Sequence, residues 1–494
     1  MKCLFLIPVF LFLGMVAFGQ IKVTSQGPIF SNDDNPGIQR VLLMKNGQTF
    51  YLCLSKESLV VRIYSSKFTV KANKKLSPRL GKASSFKIKG LYDMNGDVIL
   101  LVSAVVEHQL KLQRVIIDGN TGALKDQSII GELEKVSYFK LGGVAFGDVP
   151  DPDFFSEEMP EGNGYAVVAM NSFQPDRSKR IVVSIYGIDN KELSHAFYKS
   201  PEERYKYMQY LGMAPMEKNK LGILAYGYNT ASSGGKECEL IYGTLTTGDT
   251  TLEIDKLGTS KRASSFSIAS YNALSKKMLV VEKVDKEGYT STVVDPYNKT
   301  AITKMKLNKE RNDLPRNIFP NEDGSFTILY EEYEFFTNNG PIVNSSHSHY
   351  GDFSVSLISK DCTQEIANYT VPRNFWPRPG KDFPLPVLAG YLSAGENNYL
   401  LLNDDADNVE RVQSGKRVHK VTTMDDWNGY YYTLIGKDEV PKVASLFGEP
   451  DEKREHTMGA YAASDYRKET GMYVIVKLEQ RGKDTNWRMV WMKP

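Results

Sequence analysis

Short apolar runs, each entered from a polar or glycine turn, recur along the chain from about residue 47 to its end. Runs of this length with turn signals between them are typical of β-strands, and the most apolar ones indicate strands buried on both faces. The residues that precede the clearest runs are Gly47, Gly96, Gly164, Lys220, Lys276, Gly324, Asn397 and Gly471. The pattern predicts an all-β fold.

Two stretches of the chain repeat each other at an offset of 180 residues. KASSFKI at 82–88 matches RASSFSI at 262–268, and the apolar run at 98–101 falls on the run at 278–281 without a gap. This offset spans three steps of the strand pattern, which gives a unit of about 60 residues. Each unit contains four strands, and such a small sheet is stable only when it stacks on neighbouring copies.

Radial repetition of four-stranded antiparallel sheets is the architecture of a β-propeller. Seven units run from residue 38 to about 447, and a shorter eighth unit covers 456–494 without a fourth strand. We predict one propeller domain over 20–494, with the segment at 21–26 supplying the missing strand. Eight blades are the first choice, seven the second, and a pair of β-sandwiches is the alternative. A short helix is predicted at 200–211 because Ser200 and Pro201 form a typical helix start.

The first nineteen residues have the features of a secretory signal peptide. Lys2 precedes an apolar run at 4–13, and Ala17 and Gly19 form a small-residue cleavage site. The alternative is a membrane anchor, but the run is shorter than the roughly 20 residues that a bilayer-spanning helix needs. We therefore expect an exported protein, periplasmic or extracellular, without a transmembrane segment.

The net charge of the chain argues against one class of ligand, and its cysteine content limits the disulfides. Among 494 residues, 61 are Lys or Arg and 59 are Asp or Glu, for a formal charge of +2, so a nucleic-acid partner is not expected. Beyond the signal peptide three cysteines remain, Cys53, Cys238 and Cys362, which allow at most one disulfide. Because they lie in or beside apolar strands, buried thiols are the preferred interpretation.

The chain contains none of the common catalytic motifs, such as H-E-x-x-H, C-x-x-C or the phosphate-binding loop. Its densest carboxylate cluster is Asp404, Asp405 and Asp407, directly after a predicted strand. Oxygen ligands in a tight loop suit Ca²⁺, although Asn408 and Ser414 stand where an EF-hand needs Gly and Glu. An Asx-rich hairpin turn is the preferred interpretation and a Ca²⁺ site the alternative.

His347 and His349 share one side of an extended segment and form a candidate half-site for zinc or another transition metal. They belong to a long polar insertion at 338–351, for which a solvated loop is the preferred interpretation. No third ligand can be assigned from the sequence.

A proline-rich segment at 373–386 carries Arg373, Phe375, Trp376 and Arg378. A stiff loop with aromatic and cationic groups suits recognition of a peptide, a glycan or a carboxylate. The same segment could equally serve only to bridge two blades. The sequence leaves both interpretations open.

The signal peptide ending in Phe18-Gly19-Gln20, the Tyr/Asn/Lys-rich strands and the LLLNDDADN segment resemble exported propeller-like proteins of unknown function from Bacteroidetes-type bacteria. In those proteins a strand is often followed by Asn-Asp and then Asn, here Asn403, Asp404 and Asn408. The resemblance implies export and a propeller but no activity. We expect a monomeric binding or scaffold module for a protein, peptide or glycan of the cell envelope. A hydrolase or lyase with carboxylates meeting at the axis is the alternative.

Overall fold

The computed structural model describes most of the chain from Gln20 to Pro494. The predicted signal peptide lies outside the described residues, as do residues 81–85 and 261–265, which include part of the repeated segment. The described ranges are 20–30, 37–56, 58–80, 86–107, 109–133, 150–229, 238–260, 266–284, 288–307, 313–339, 344–378, 388–424, 426–434, 441–448, 455–481 and 484–494.

Strands dominate the described residues. One α-helix of eight residues, α1 (Ala406–Gln413), follows the twenty-seventh strand. In chain order the strands are β1 (Lys22–Gln26), β2 (Ile38–Leu43), β3 (Thr49–Leu54), β4 (Leu59–Tyr64), β5 (Val70–Leu76), β6 (Phe86–Met94), β7 (Asp97–Val106), β8 (Gln109–Asp118), β9 (Leu124–Glu132), β10 (Asp153–Glu158), β11 (Gly164–Met170), β12 (Ile181–Gly187), β13 (Glu192–Phe197), β14 (Tyr207–Met216), β15 (Lys220–Tyr228), β16 (Cys238–Thr246), β17 (Glu253–Ser260), β18 (Phe266–Asn272), β19 (Lys277–Val284), β20 (Gly288–Asp295), β21 (Thr300–Leu307), β22 (Asp313–Pro320), β23 (Phe326–Asn339), β24 (Asn344–Ile358), β25 (Glu365–Val371), β26 (Ala389–Ala394), β27 (Asn397–Asp405), β28 (Trp427–Thr433), β29 (Lys442–Ser445), β30 (Glu455–Arg467), β31 (Met472–Arg481) and β32 (Asp484–Lys493).

The strands form eight four-stranded antiparallel sheets, which are the blades of a β-propeller. Blades 1 to 7 take successive sets of four strands from β2 to β29, and blade 8 consists of β30, β31, β32 and β1. The first strands of neighbouring blades contact one another around the ring, so they lie nearest the axis. The prediction of eight blades is confirmed.

The 180-residue repeat relates blade 2 to blade 5. The matched segments at 86–88 and 266–268 begin β6 and β18, the inner strands of these blades, and the next match pairs β7 with β19. The two copies are therefore offset by three blades, in agreement with the predicted unit of about 60 residues.

The hydrophobic core is divided among the interfaces between blades. Each of eight clusters in the described part of the chain lies mainly between two neighbouring blades, such as the cluster that joins blade 6 to blade 7. The second strand of a blade contributes to both of its interfaces, and β3 is buried at every position. This burial on both faces explains why these strands are continuous apolar runs rather than alternating ones.

The N-terminal strand completes the ring. β1 pairs antiparallel with β32, from Lys22 opposite Lys493 to Gln26 opposite Val490. The connection continues beyond β1, because the backbones of Phe30 and Trp487 exchange two hydrogen bonds of 2.8 and 3.0 Å. Blade 8 thus consists of both ends of the described chain.

The helix predicted at 200–211 is wrong. Only Pro201–Glu203 forms a short 3₁₀ turn, in which Glu202 and Glu203 have positive φ, and Ser200 makes no capping hydrogen bond. The following residues form β14, which pairs with β15 as the inner strand of blade 4. Pairing within the blade overrides the local helix signals at this site.

The cysteines behave as core residues. Cys53, Cys238 and Cys362 are all buried, and no disulfide joins them. The preferred interpretation of buried thiols is confirmed. Among the residues that the structure describes, no helix combines the length and apolar composition needed to cross a membrane.

Candidate functional site

Three connections that the structure describes in whole or in part lie at one end of blades 6 and 7. Antiparallel strand order places the end of β23, the end of β25 and the end of β27 at the same side of the ring, which we call the upper face. The link from β23 to β24, the link from β25 to β26 and helix α1 all belong to this face. The sequence-predicted site residues therefore come from three neighbouring connections.

The polar insertion at 338–351 is part of a long β-ribbon, so the predicted solvated loop is wrong where the structure describes it. β22 and β25 cover β23 and β24 only as far as Glu332 and Phe353. Beyond that point β23 and β24 continue to pair with each other, up to Asn339 opposite Asn344. The continuous ladder of cross-strand hydrogen bonds makes this segment an extension of blade 6 above the ring.

The segment after β25 joins this ribbon to blade 7. Phe375 exchanges two backbone hydrogen bonds of 2.9 and 3.0 Å with Tyr350 of the ribbon. On its other side, the Trp376 amide donates to the Val421 carbonyl at 2.8 Å, and the Val421 amide donates to Asn374 at 2.9 Å. Residues 374–376 thus act as a short strand between the connections of two blades, which fixes the position of Trp376.

Trp376 is held as a half-buried plate at the upper face. Its indole N–H donates to Asn374 Oδ1 at 2.7 Å. The ring stacks on His349 with centroids 4.4 Å apart and on Phe336 at 5.6 Å. The Lys420 ammonium lies 4.6 Å from the Trp376 centroid. Phe336 and His349 project from the same side of the ribbon, and both of their rings stack on the indole.

A cleft of about 750 Å³ opens beside this plate. Four cationic residues and a single carboxylate, that of Asp352, border it. The Asp352 carboxylate already accepts the backbone N–H of Arg373 at 2.8 Å, and burial raises its pKa. The bordering residues are His349, Asp352, Pro372, Arg373, Asn374, Trp376, Gly415, Lys416, Arg417, Val418 and Lys420.

The Arg373 side chain is buried at the floor of this region. Its guanidinium carbon lies 5.1 Å from the ring centroids of both Phe353 and Trp427, and 5.6 Å from that of Phe375. The nearest carboxylate oxygen among the described residues is Glu331 Oε1, at 3.9 Å from Nη1. Arg373 therefore places a positive charge between blades 6 and 7, next to three aromatic rings.

Glu331 belongs to the same buried group of charges. Its other oxygen accepts a hydrogen bond from Arg316 Nε at 2.8 Å. Burial raises the pKa of Glu331, and the nearby Arg316 and Arg373 oppose that shift. The two arginines thus favour the charged form of Glu331, whereas burial favours its neutral form.

The four predicted ligand-binding residues occupy different positions relative to the cleft. Arg373 and Trp376 border the cleft, and Phe375 is buried beneath it. Arg378 is exposed and does not border the cleft. Residues 379–387, the rest of the predicted loop, lie outside the described residues. The segment bridges two blades, as one interpretation expects, and it also borders a cleft, so the recognition role stays a prediction.

The aspartates predicted as a Ca²⁺ site have three different surroundings. Asp404 is buried, and burial raises its pKa to about 6 although Arg373 opposes the shift. Asp405 caps α1 by accepting the Asn408 N–H at 3.0 Å, and Asp407 is exposed in the first helical turn. The preferred interpretation as a hairpin turn is wrong, because α1 begins directly after β27.

The candidate metal residues do not assemble a ligand set within the described part of the chain. No group of three or more His, Cys, Asp or Glu side chains there has the geometry to hold a metal ion. His347 and His349 lie on β24, and His349 is stacked on Trp376 with Nδ1 3.7 Å from a Glu334 oxygen. The histidines thus belong to the ribbon that supports Trp376.

Sequence reasoning missed three cationic residues of the cleft. Lys416, Arg417 and Lys420 follow α1, and their side chains are exposed. The run Lys416-Arg417-Val418-His419-Lys420 is the signal that could have identified them. Their approach to Trp376 could not be read from the sequence, because about 40 residues and a blade boundary separate the two segments.

The fold and this site together define an eight-bladed propeller with a cationic cleft on its upper face. No protein-family model matches the chain, and no curated protein matches it. The WD40 domain of SCAP from fission yeast is a similar solved structure, with 11% identity, coverage of 95% of this chain and 97% of that chain, and a TM-score of 0.36.

Two further solved structures are enzymes. For the polysaccharide lyase Uly1 the identity is 11%, the coverage 82% of this chain and 89% of that chain, and the TM-score 0.42. For prolyl oligopeptidase B from Galerina marginata the identity is 9% and the TM-score 0.42, with 90% of this chain and 55% of that chain covered. The chain thus spans about half the length of the oligopeptidase. At these identities the assignment of the fold rests on the strand pairing itself.

Proposed function

We propose that the protein is an exported recognition module of the cell envelope that holds a glycan or peptide ligand in the cleft between blades 6 and 7, without catalysis. The supporting observation is the set of exposed cations beside Trp376. In the described structure, the side chains of Lys416 and Arg417 have no hydrogen bond or ion pair, and the Lys420 ammonium lies over the indole. Such groups remain available to a ligand.

The architecture around the cleft also suits recognition. Its volume of about 750 Å³ lies within the range of small-ligand sites. The bordering segments are anchored by backbone hydrogen bonds of 2.8 to 3.0 Å to the ribbon and to one another. Loops that a rigid scaffold holds in place can bind without a large ordering cost.

Binding to glycan and peptide panels tests this function. Residues 20–494 should retain a ligand that Trp376→Ala and the double variant Lys416→Ala/Arg417→Ala lose. The matched control is Lys74→Ala/Lys75→Ala, which removes two exposed charges from outer strand β5. If a ligand survives both cleft variants, the cleft is not its site. If turnover accompanies binding, the non-catalytic role is wrong.

Glu157 favours a second function, hydrolysis or lysis of an extracellular polymer. It lies on β10, the inner strand of blade 3, and its side chain is open to solvent. Surrounding protein nevertheless raises its pKa to about 7 by desolvation. A carboxyl group titrating near neutral pH is suited to general acid–base catalysis. Loss of turnover in Glu157→Gln, with the pH profile of the parent protein centred near 7, would support this function.

A further inference from the structure

The cleft carries a local positive charge, whereas the chain as a whole is nearly neutral. The formal charge of the 494 residues is only +2, whereas the exposed cations Lys416, Arg417 and Lys420 border the cleft against the single carboxylate of Asp352. One carboxylate offsets only part of the three exposed positive charges. A concentrated field in a concave surface attracts ligands of the opposite sign. The ligand is therefore expected to be an anion.

The lining resembles a carbohydrate subsite more than a peptide groove. Apart from Trp376, the apolar residues at its border are Pro372 and Val418, and the other bordering residues are polar, charged or glycine. A peptide interface typically depends on apolar or aromatic anchors that fill desolvated pockets. Sugars instead present hydroxyl groups for hydrogen bonding and a C–H face for an aromatic ring.

Trp376 can present one face to such a ring. His349 and Phe336 stack on the indole and hold its orientation. The Lys420 ammonium lies over the indole, and the Lys420 side chain is exposed and flexible. A sugar that displaces the Lys420 ammonium from the indole would leave it beside the ligand, where it can pair with an acid group.

We propose that the cleft binds an anionic oligosaccharide, a sugar chain with carboxylate or sulfate groups. Trp376 contacts the C–H face of one sugar, and Lys416, Arg417 and Lys420 pair with acid groups along the chain. This inference rests on the proposed function and adds the class of ligand to it.

Calorimetric titration with matched probes tests the ligand class. The probes are an oligogalacturonide, its fully methyl-esterified form of the same length, a sulfated heparin oligosaccharide and an oligoglutamate peptide. At least one acidic sugar should bind 10-fold or more tightly than the neutral ester, and the preference should shrink at high salt because screening weakens exposed charge pairs. The stronger acidic sugar identifies carboxylate or sulfate as the preferred group.

Variants separate this inference from the proposed function. Lys416→Ala/Arg417→Ala should lose about 10-fold or more in affinity for the acidic sugar, whereas Lys74→Ala/Lys75→Ala should match the parent protein. Trp376→Ala, checked by its melting temperature, should weaken binding of every sugar. Equal binding of the neutral ester, or tighter binding of oligoglutamate, overturns the ligand class but keeps the cleft as a site. Absence of any cleft-dependent ligand overturns both.

Discussion

The indole of Trp376 lies on the imidazole of His349, with ring centroids 4.4 Å apart and an angle of 24° between the planes. This contact joins the connection that leaves blade 6 to the ribbon that extends from the same blade. His349 was a candidate metal ligand and Trp376 a candidate ligand-binding residue on the sequence alone. Because the two rings stack, His349 supports the indole of Trp376.

The stacked pair should be energetically coupled. In a double-mutant cycle of Trp376→Ala and His349→Ala, we expect a coupling free energy of about 0.5–1.5 kcal/mol, the range for aromatic pairs. Urea unfolding of the four proteins measures it. His195→Ala, at an exposed histidine on β13, is the control and should change stability by less than about 0.5 kcal/mol. Additive effects would show that the rings merely lie near each other.

Arg373 should be important for stability as well as for the cleft. Arg373→Met keeps much of the volume but removes the charge beside Glu331 and Asp404, two carboxyls whose raised pKa values Arg373 opposes. We expect a loss of about 0.5–3 kcal/mol in the free energy of unfolding, because Asp404 loses its buried positive neighbour while Glu331 keeps Arg316. Arg378→Met, at an exposed position, should cost less than about 0.5 kcal/mol. Similar losses in both variants would contradict this role.

Buried carboxyls should make the protein more stable in mild acid. The pKa values of Asp404 and Asp465 are both raised to about 6, chiefly by burial. The folded state then binds these protons at a higher pH than the unfolded state, so the free energy of unfolding rises as pH falls from about 7 to 5. Each group contributes at most about 1.4 kcal/mol per pH unit.

Asp404→Asn tests this pH dependence directly. The variant should lose part of the slope of unfolding free energy against pH between 5 and 7, measured by urea unfolding in buffers of equal ionic strength. Asp407→Asn, at an exposed position of α1, is the matched control and should keep the slope of the parent protein. An unchanged slope in Asp404→Asn would show that the carboxyl does not titrate in this range.

Ring closure should depend on β1. Deleting residues 20–26 removes the outer strand of blade 8 and exposes the edge of β32. We expect a lower melting temperature and concentration-dependent association, because an exposed strand edge is a template for pairing with other chains. Scanning calorimetry and light scattering measure the two effects. Lys22→Ala, which keeps the strand, should behave as the parent protein, and an unaltered melting temperature after the deletion would refute the closure.

The three thiols should react only after unfolding. Cys53, Cys238 and Cys362 are buried, and burial raises the pKa of Cys362 to about 12 and also raises that of Cys53. Since the thiolate is the reactive form, Ellman's reagent should label the folded protein slowly and three cysteines rapidly in guanidinium. Fast labelling of the native protein would contradict the described packing.

The sequence by itself determined the architecture of the ring. The strand pattern repeats in every blade, and each blade buries its second strand on both faces. The number of blades could therefore be derived from the apolar runs and the 180-residue match. The N-terminal segment could be assigned to blade 8 because that unit was one strand short. These features are local or periodic, and periodic patterns can be read without knowledge of the tertiary structure.

Only the tertiary structure decided what the connections do. The sequence drew attention to Arg373 and Trp376 but not to the burial of Arg373 among three aromatic rings or to the cations after α1. It grouped Asp404, Asp405 and Asp407 as one cluster, whereas the end of β27 and the start of α1 give each a different environment. Connections take their shape from contacts with neighbouring blades, and those contacts join residues far apart in the chain that no local pattern relates.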